Sequence, residues 1–432
     1  MTLPEGVEAL ADADRPKRLL VIINPVATKM SEKLRSLVVY ALQSRYEVTT
    51  RETEAKGHAI ELCREAAAQH YDVVVAFGGD GTVNEAANGL AGSRTALTCL
   101  PGGSNNVVAT SLETLERLAT EGEGRTPSRR MLVIVNPYAT TVSDRLKNLV
   151  VYALQGRYDV QAVDTQAKGH AIELCREAAH EGYDVVVAFG GDGTVNEAAN
   201  GLVGSPTPLT CLPGGATNVY GRMLGIPNDV VDATEHLLGL ADAWRERRVD
   251  LGRLGDRRFV FSAGMGLDAS VVERVDSNPR LKARFGPWYF AHSAVRTFLA
   301  RYVVRPPRLD VTVGDKTLRG VSAFVQNGEA YTYFQSHPIE VASGAALDSG
   351  DLSGAVLKRA SPVDVPTVAF RALSKRAEIG RHRQVQPFSG VQEVVVRSVD
   401  GRPLPVHVDG DHIGDEVEAR FTVEPKALRV VC

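Results

Sequence analysis

The sequence predicts an α/β protein in which a parallel-sheet nucleotide-binding domain, present in two copies, is followed by a C-terminal β-sandwich-type domain. Three observations carry this expectation. Arg18 to Asn106 matches Arg130 to Asn218 at a constant offset of 112 residues without a gap, so half a domain is duplicated. Within each copy short apolar runs alternate with amphipathic ones, the pattern of a parallel sheet covered by helices on both faces. From about Arg247 the texture changes to short β-rich runs separated by turns.

Taken in order, residues 1–16 are rich in Glu5, Glu8, Asp12 and Asp14, carry no basic-then-apolar signal segment, and read as a disordered tail. Residues 17–108 form the first α/β copy, expected to be non-catalytic. Residues 109–129 read as a linker, with a helix over Thr110 to Ala119 and then a Gly- and Glu-rich stretch ending at Pro127. Residues 130–245 form the second copy: a strand over Met131 to Asn136, a helix over Val142 to Gln155, a strand over Tyr158 to Asp164, a helix over Ala167 to Glu181, and a strand from Tyr183 to Phe189. Residues 246–432 form the β-rich domain. Its expected strands are Phe259 to Ala263, Leu309 to Val313, Val321 to Gln326, Val391 to Val396, Val406 to Val408 and Val417 to Val423, interrupted by helices near Gly266 to Val275 and Pro287 to Tyr302.

The second copy is organised around Gly190-Gly191-Asp192-Gly193-Thr194, set between a buried strand and the small-residue helix that starts with Val195. Glycines without a Cβ let the backbone approach a ligand, and the free N–H groups of a helix start favour an anion. Thr194 and Glu197 have the spacing of a capping box. A carboxylate beside phosphates is repelled unless it holds a metal, a ribose hydroxyl or a proton, so Asp192 is expected to serve chemistry. The stretch is neither the Walker pattern nor the G-x-G-x-x-G dinucleotide pattern. The first copy repeats it as Gly78 to Thr82. Asp409-Gly410-Asp411 reads on pattern alone as an exposed hairpin turn. His170 reads as a helix-start residue, and His407 and His412 as structural.

The net charge of −3 lacks the basic excess that nucleic-acid binding requires. No run approaches the roughly 20 apolar residues that span a bilayer. Cys63, Cys99, Cys175, Cys211 and Cys432 show no C-x-x-C spacing and read as reduced thiols, and no zinc pattern is present.

Gly190 to Thr194, Leu212-Pro213-Gly214-Gly215-Ala216-Thr217-Asn218 and Val408-Asp409-Gly410-Asp411 together resemble the diacylglycerol kinase catalytic family, which includes bacterial diacylglycerol kinases and sphingosine kinases. The resemblance spans roughly Arg130 to Cys432. It implies that ATP is held by the loop of Asn136, Pro137 and Thr140, by Thr165, by Gly190, Gly191, Asp192, Gly193, Thr194 and Asn196, and by Ala216, Thr217 and Asn218. It further implies Asp411 as general base with Asp409 beside it, and Mg²⁺ both with ATP and at a loop of Asp348, Ser349 and Asp351. Three residues depart from the family pattern: Ser349 replaces an acid, Ala216 a hydroxyl residue, and Thr140 a glycine. The implied reaction is ATP-dependent phosphorylation of a hydroxyl of diacylglycerol or a related long-chain lipid. An NAD kinase-like enzyme and a catalytically weak nucleotide- or lipid-binding protein stay open as alternatives. The implied partner is a lipid substrate at a membrane surface, and the expected place is cytoplasmic, peripheral to the inner face of the membrane. A homodimer is also left open. The aromatic and basic residues between Arg280 and Arg308, Trp288 and Phe290 among them, suit either such an interface or a core.

Overall fold

The computed structural model describes residues 17–26, 32–43, 46–101, 129–240, 244–276, 296, 306–334, 336–361, 364–373 and 378–432. The helices expected over Thr110 to Ala119 and Pro287 to Tyr302, with Trp288 and Phe290, lie outside them. Two compact units are formed, Met1–Arg130 with Ser143–Val160 and Thr234–Ala241, and Met131–Val142 with Gln161–Ala233 and Asp242–Cys432. No described helix is long and apolar enough to cross a membrane. None of the five cysteines forms a disulfide.

Copy one, in the first unit, contains β1 (Arg18–Ile23), α1 (Glu32–Gln43), β2 (Glu47–Glu52), α2 (His58–Ala68), β3 (Val73–Gly78), α3 (Asp80–Leu90) and β4 (Ala96–Pro101). Its four-stranded sheet runs β2-β1-β3-β4, all parallel. β1 and β3 are continuous apolar runs because both faces are covered, whereas edge strand β2 is polar and largely exposed.

Copy two repeats the order as β5 (Arg130–Val135), α4 (Asp144–Gln155), β6 (Asp159–Asp164), α5 (His170–Glu181), β7 (Val185–Gly190), α6 (Asp192–Leu202) and β8 (Leu209–Pro213), then adds α7 (Val219–Met223) and α8 (Val230–Leu240). Two helices start later than expected. Ser143 caps α4, its Oγ accepting from Leu146 N at 3.3 Å. Gly169, at φ 90°, lies in the left-handed region and cannot belong to α5, which therefore starts at His170. The His170 Nδ1 accepts from Gln166 N at 3.1 Å, a local role as expected.

The β-rich region comprises β9 (Glu246–Leu254), β10 (Arg257–Phe259), β11 (Ser262–Met265), α9 (Leu267–Asp276), β12 (Leu309–Val313), β13 (Lys316–Gly320), β14 (Ser322–Gln326), β15 (Thr332–Phe334), β16 (His337–Ile339), β17 (Leu352–Leu357), α10 (Asp364–Leu373), β18 (Val385–Val391), β19 (Glu393–Ser398), β20 (Leu404–Val408), β21 (Asp411–Glu416) and β22 (Glu418–Val431). One sheet runs β18-β17-β14-β11-β20-β21. The other continues the parallel strands of copy two, β6-β5-β7-β8, through β22, β19, β12 and β13. The two sheets enclose a core that includes Phe259, Met265, Val311, Val325, Val406 and Phe421, the sandwich expected from the sequence.

Three expected strands differ. Phe259 to Ala263 is broken because the amides of Val260 and Phe261 turn away from the ladder to a carboxylate. Val391 to Val396 is two strands because the chain passes from one sheet to the other at Gln392, β18 pairing with β17 and β19 with β12. Val417 to Val423 is the start of a strand that continues to Val431. It reaches β8 at Val430↔Leu209 after an irregularity between Glu424 and Leu428, where Lys426 has φ 54°.

Phe421 is fully buried and meets Phe259 edge-on, ring centroids 6.4 Å apart. Phe421→Ala is expected to lower stability by about 3–5 kcal/mol, because a large cavity opens between the two sheets. Denaturant unfolding followed by far-UV circular dichroism measures it, and a loss below about 1 kcal/mol would show that the core closes over the gap.

Candidate active site

The glycine turn is fixed by close backbone approach. A Cβ on Gly190 would lie 2.5 Å from Thr194 Oγ1, one on Gly214 would lie 2.8 Å from Gly190 Cα, and one on Gly215 would lie 2.8 Å from Gly191 Cα. The Gly190–Gly191 and Gly214–Gly215 pairs thus pack against each other, with no room for a side chain at Gly190, Gly214 or Gly215, and Gly214 N donates to Gly190 O at 2.8 Å. Asn218, at φ 50°, closes the second loop: its Oδ1 accepts from Gly215 N and its Nδ2 donates to Gly215 O, both at 2.8 Å.

The expected Thr194–Glu197 capping box does not form. Gly191 is the N-cap residue of α6 and supplies no side chain. Thr194 Oγ1 accepts from Asn136 Nδ2 at 3.1 Å, and Glu197 Oε1 accepts from Gly169 N at 2.8 Å. The loops after β5 and β6 are therefore both bonded to the first turns of α6, and the N-terminal turn of α6 has no side-chain cap. Pro137, Thr140 and Ala216 are exposed beside it, and Thr165 follows β6 with its N–H donating to Val135 O at 2.8 Å. A pocket at this turn is lined by Gly190, Gly191, Asp192, Asn218, Arg222 and Asn228.

Asp409 and Gly410 take left-handed conformations, φ 48° and 79°, and join β20 to β21 in a two-residue turn. The hairpin reading and the functional reading are thus the same object. The Asp409 side chain is buried and accepts four hydrogen bonds: Oδ2 from Asn196 Nδ2 (2.6 Å) and Val260 N (2.7 Å), Oδ1 from Phe261 N and Ser262 N (3.0 Å each). Asp411 instead faces the glycine turn. A Cβ on Gly193 would lie 4.0 Å from Asp411 Oδ1, while Oδ2 is 3.1 Å from Lys168 Nζ and 3.8 Å from Arg257. A carboxylate, two cations and an uncapped helix start are thus brought together.

Not every expected ligand residue faces this opening. Asn196 is buried and binds Asp409 and Arg258 O, holding α6 to β10. Asp192 Oδ1 accepts from Tyr220 N at 3.3 Å, so its carboxylate is directed at the start of α7. Asp348 pairs with Arg247 at 3.2 Å, and Ser349 Oγ donates to Asp351 Oδ1 at 2.8 Å and Ala346 O at 3.0 Å. Among the described residues no group of three His, Cys, Asp or Glu side chains is placed to hold a metal ion. The loop is instead tied by Asp250, fully buried, which accepts from Gly350 N at 2.6 Å and Lys426 N at 2.7 Å. Arg247 and Asp250 thus supply bonds that this loop makes among the described residues.

Sequence reading missed Lys168, Arg257, Asp250 and the buried cluster under β20, where His407 Nε2 lies 2.8 Å from both Asp268 Oδ2 and the Tyr331 hydroxyl. Lys168 follows β6 on a loop with Thr165, and its place after a strand of a parallel sheet was the one available signal. The others are joined only by tertiary pairing. Burial would raise Asp268, but the charge and hydrogen bond of His407 and the Tyr331 hydroxyl outweigh it, and its pKa is lowered.

Burial pushes the Asp192 carboxyl up to about 7, against the opposing amides of Tyr220, Val219 and Asn218, with Asp409 adding repulsion. Burial likewise pushes Asp409 up to about 6, against its own hydrogen-bond donors. In copy one α3 has the same eleven residues as α6, and Asn24 Nδ2 donates to Thr82 Oγ1 at 3.0 Å as Asn136 does to Thr194. Yet Asp80 and Asn84, counterparts of Asp192 and Asn196, are exposed.

Residues 18–124 and 130–254 both match the family described as Diacylglycerol kinase catalytic domain, and residues 261–432 match the YegS C-terminal NAD kinase beta sandwich-like domain. A diacylglycerol kinase of Staphylococcus aureus (strain bovine RF122 / ET3-1) is 26% identical over 305 residues, 68% of this chain and 89% of that protein. The diacylglycerol kinase of strain MRSA252 matches with the same identity and coverage. A crystal structure of a Bacillus anthracis str. Sterne diacylglycerol kinase, 19% identical, superposes with a TM-score of 0.53 over 71% of this chain and 98% of its own, a likeness of fold.

The raised Asp192 pKa fixes a sign for the pH dependence of stability. Between its ordinary 3.8 and about 7 the folded chain holds a proton that the unfolded chain has released. The contribution is therefore fully present below about pH 4 and is lost as pH rises through 7. Relative to Asp192→Asn, which does not titrate, the parent is expected to lose up to about 4 kcal/mol of stability across that window of roughly three pK units, each unit being worth about 1.4 kcal/mol. Thermal melts of both proteins from pH 4 to 8 measure this, and parallel curves would place the Asp192 carboxylate in a solvated setting.

Proposed function

The chain belongs to the diacylglycerol kinase catalytic-domain family, a lipid kinase family, and from that premise we propose that it transfers the γ-phosphoryl group of ATP to a hydroxyl of diacylglycerol or a related long-chain lipid. The observation that carries this reading is Asp411, which stands opposite Gly193 at the uncapped start of α6 between Lys168 and Arg257.

Phosphoryl transfer needs positioning, charge neutralisation and a base near the attacking oxygen more than it needs covalent chemistry. The backbone N–H groups of the Gly190 to Thr194 turn, with the loops of Asn136 and Ala216 beside it, would hold the phosphates. Asp411 would take the proton of the lipid hydroxyl as its oxygen attacks. Lys168 and Arg257 would exchange the carboxylate for phosphate oxygens as charge builds on them. Mg²⁺ bound with ATP would supply further neutralisation. Asp192 and Asp409 would act through placement: Asp192 orients the Asn218–Tyr220 backbone at the pocket, and Asp409 sets the hairpin that presents Asp411. A long-chain acceptor would be met at a membrane surface, a reading supported by the aromatic and basic composition of residues 280–308, and the cytoplasmic side is part of the same proposal.

The test is γ-labelled ATP with vesicles containing diacylglycerol, followed by organic extraction, with NAD offered as acceptor in parallel. Labelled phospholipid is expected. Labelled NADP without lipid product would overturn the reading in favour of the enzyme type suggested by the name of the C-terminal match.

Two variants probe the assignment of roles. Asp411→Asn is expected to lower kcat by roughly 10²- to 10⁴-fold with ATP binding retained, the usual worth of a general base, and near-parental turnover would remove it from that role. Lys168→Met is expected to raise KM for ATP by about 10- to 100-fold, the worth of a charged hydrogen bond. Asp80→Asn, in copy one, is expected to be nearly silent in the same assay. Loss of turnover there with Asp192→Asn still active would exchange the two copies' roles.

A further inference from the structure

Helix α1 packs on helix α4, and both lie in the first compact unit. The pair is unusual in origin, because the two helices are the same segment of the repeat: Glu32 and Gln43 become Asp144 and Gln155 at the offset of 112. Their sequences, EKLRSLVVYALQ and DRLKNLVVYALQ, are identical at eight of twelve positions. The other four exchange Glu for Asp, Lys for Arg, Arg for Lys and Ser for Asn.

Each helix carries more apolar surface than one core stripe requires. In α4 the stripe Leu149, Val150, Ala153 and Leu154 is buried, as the 3.6-residue period demands of a helix covering a sheet. The next face, Asn148, Val151, Tyr152 and Gln155, is not exposed either, each residue being half-buried. In α1 the same division recurs, with Val38, Ala41 and Leu42 buried and Val39 and Tyr40 half-buried. The Tyr40 hydroxyl donates to Glu235 Oε1 on α8 at 2.6 Å, so the second face of α1 is engaged by copy-two elements of the same unit.

When two copies of one surface meet, the contact is self-complementary: whatever α1 offers to α4, another α4 offers as well. We propose that the Val151–Tyr152 face of α4 is a self-recognition surface, filled in cis by Val39 and Tyr40 of α1, and that its other fitting occupant is the α4 of a second copy of this chain. Duplication has placed the partner helix on the same polypeptide. Tethering raises its effective concentration far above that of a free second chain. The cis contact therefore prevails, and the surface is withheld from association between chains.

The experiment uses the full-length chain, with mass measured by light scattering over a range of concentrations. Val39→Asp with Tyr40→Asp is expected to double the mass relative to the parent, because α4 is freed to meet another α4. Adding Val151→Asp and Tyr152→Asp is expected to return the mass to that of the parent. A folded α1 variant whose mass equals the parent's at every concentration overturns the proposal, as does a doubled mass that survives the four-fold substitution. If the charged α1 variant does not fold, as read by circular dichroism, Val39→Ala with Tyr40→Ala replaces it and is judged by the same two outcomes. A parent that is itself a dimer and is split by Val151→Asp with Tyr152→Asp would equally overturn the cis assignment.

Discussion

The arrangement of the site depends on the carboxylate of Asp409. Four donors from two different segments converge on it, the amides of Val260, Phe261 and Ser262 and the side chain of Asn196. Those bonds interrupt what would be one strand into β10 and β11, dock α6 on the β-rich region, and fix the left-handed turn from which β21 departs. Asp411 owes its position opposite Gly193 to that turn. A carboxylate raised toward 6 by burial, rather than a neutral amide, is suited to this place because every atom facing it is a donor, so an asparagine would direct its own N–H₂ at one of them.

The other fixed point is the contact between two glycine pairs. Where a Cβ on Gly214 or Gly215 would fall 2.8 Å from the Gly190 or Gly191 backbone, no side chain is tolerated, so the glycine turn and the loop after β8 are held as one surface. Ala216, one residue further, is exposed, and Thr140 is exposed on the neighbouring loop. The departures from the family pattern thus fall where the chain is open to solvent, while the glycines that shape the surface are retained.

Much of the fold could be read in the sequence because it is written in short-range signals. The period of β5 to β8, the duplication, and the glycine turn are all local, and so is the left-handed Asp409-Gly410 pair. What escaped reading was decided by partners distant in the chain. Thr194 and Glu197 have capping-box spacing, but Asn136 and Gly169 claim their side chains. The bonds that Arg247 and Asp250 make to the loop of Asp348, Ser349 and Asp351 come from about a hundred residues earlier and leave no local pattern. Lys168 and Arg257 carry no pattern of their own and become recognisable only when the fold sets both beside Asp411.

The duplicated helix shows the same division within one molecule. Asp80–Leu90 and Asp192–Leu202 are the same eleven residues, each following a buried strand that ends in glycine, so propensity, capping and hydrophobic pattern are identical. Their chemistry is not. In α6 Asn196 is buried against Asp409, and the Asp192 carboxyl is driven to about 7 by burial. In α3 the matching Asn84 and Asp80 are exposed. Local sequence therefore specifies the glycine turn as a shape, whereas its electrostatics come from what is packed around it: α7 at Asp192, and the Asp409 hairpin at Asn196. Among the described residues one hairpin of this kind presents Asp411, and the proposed kinase site is therefore built on one copy of a turn that is written twice.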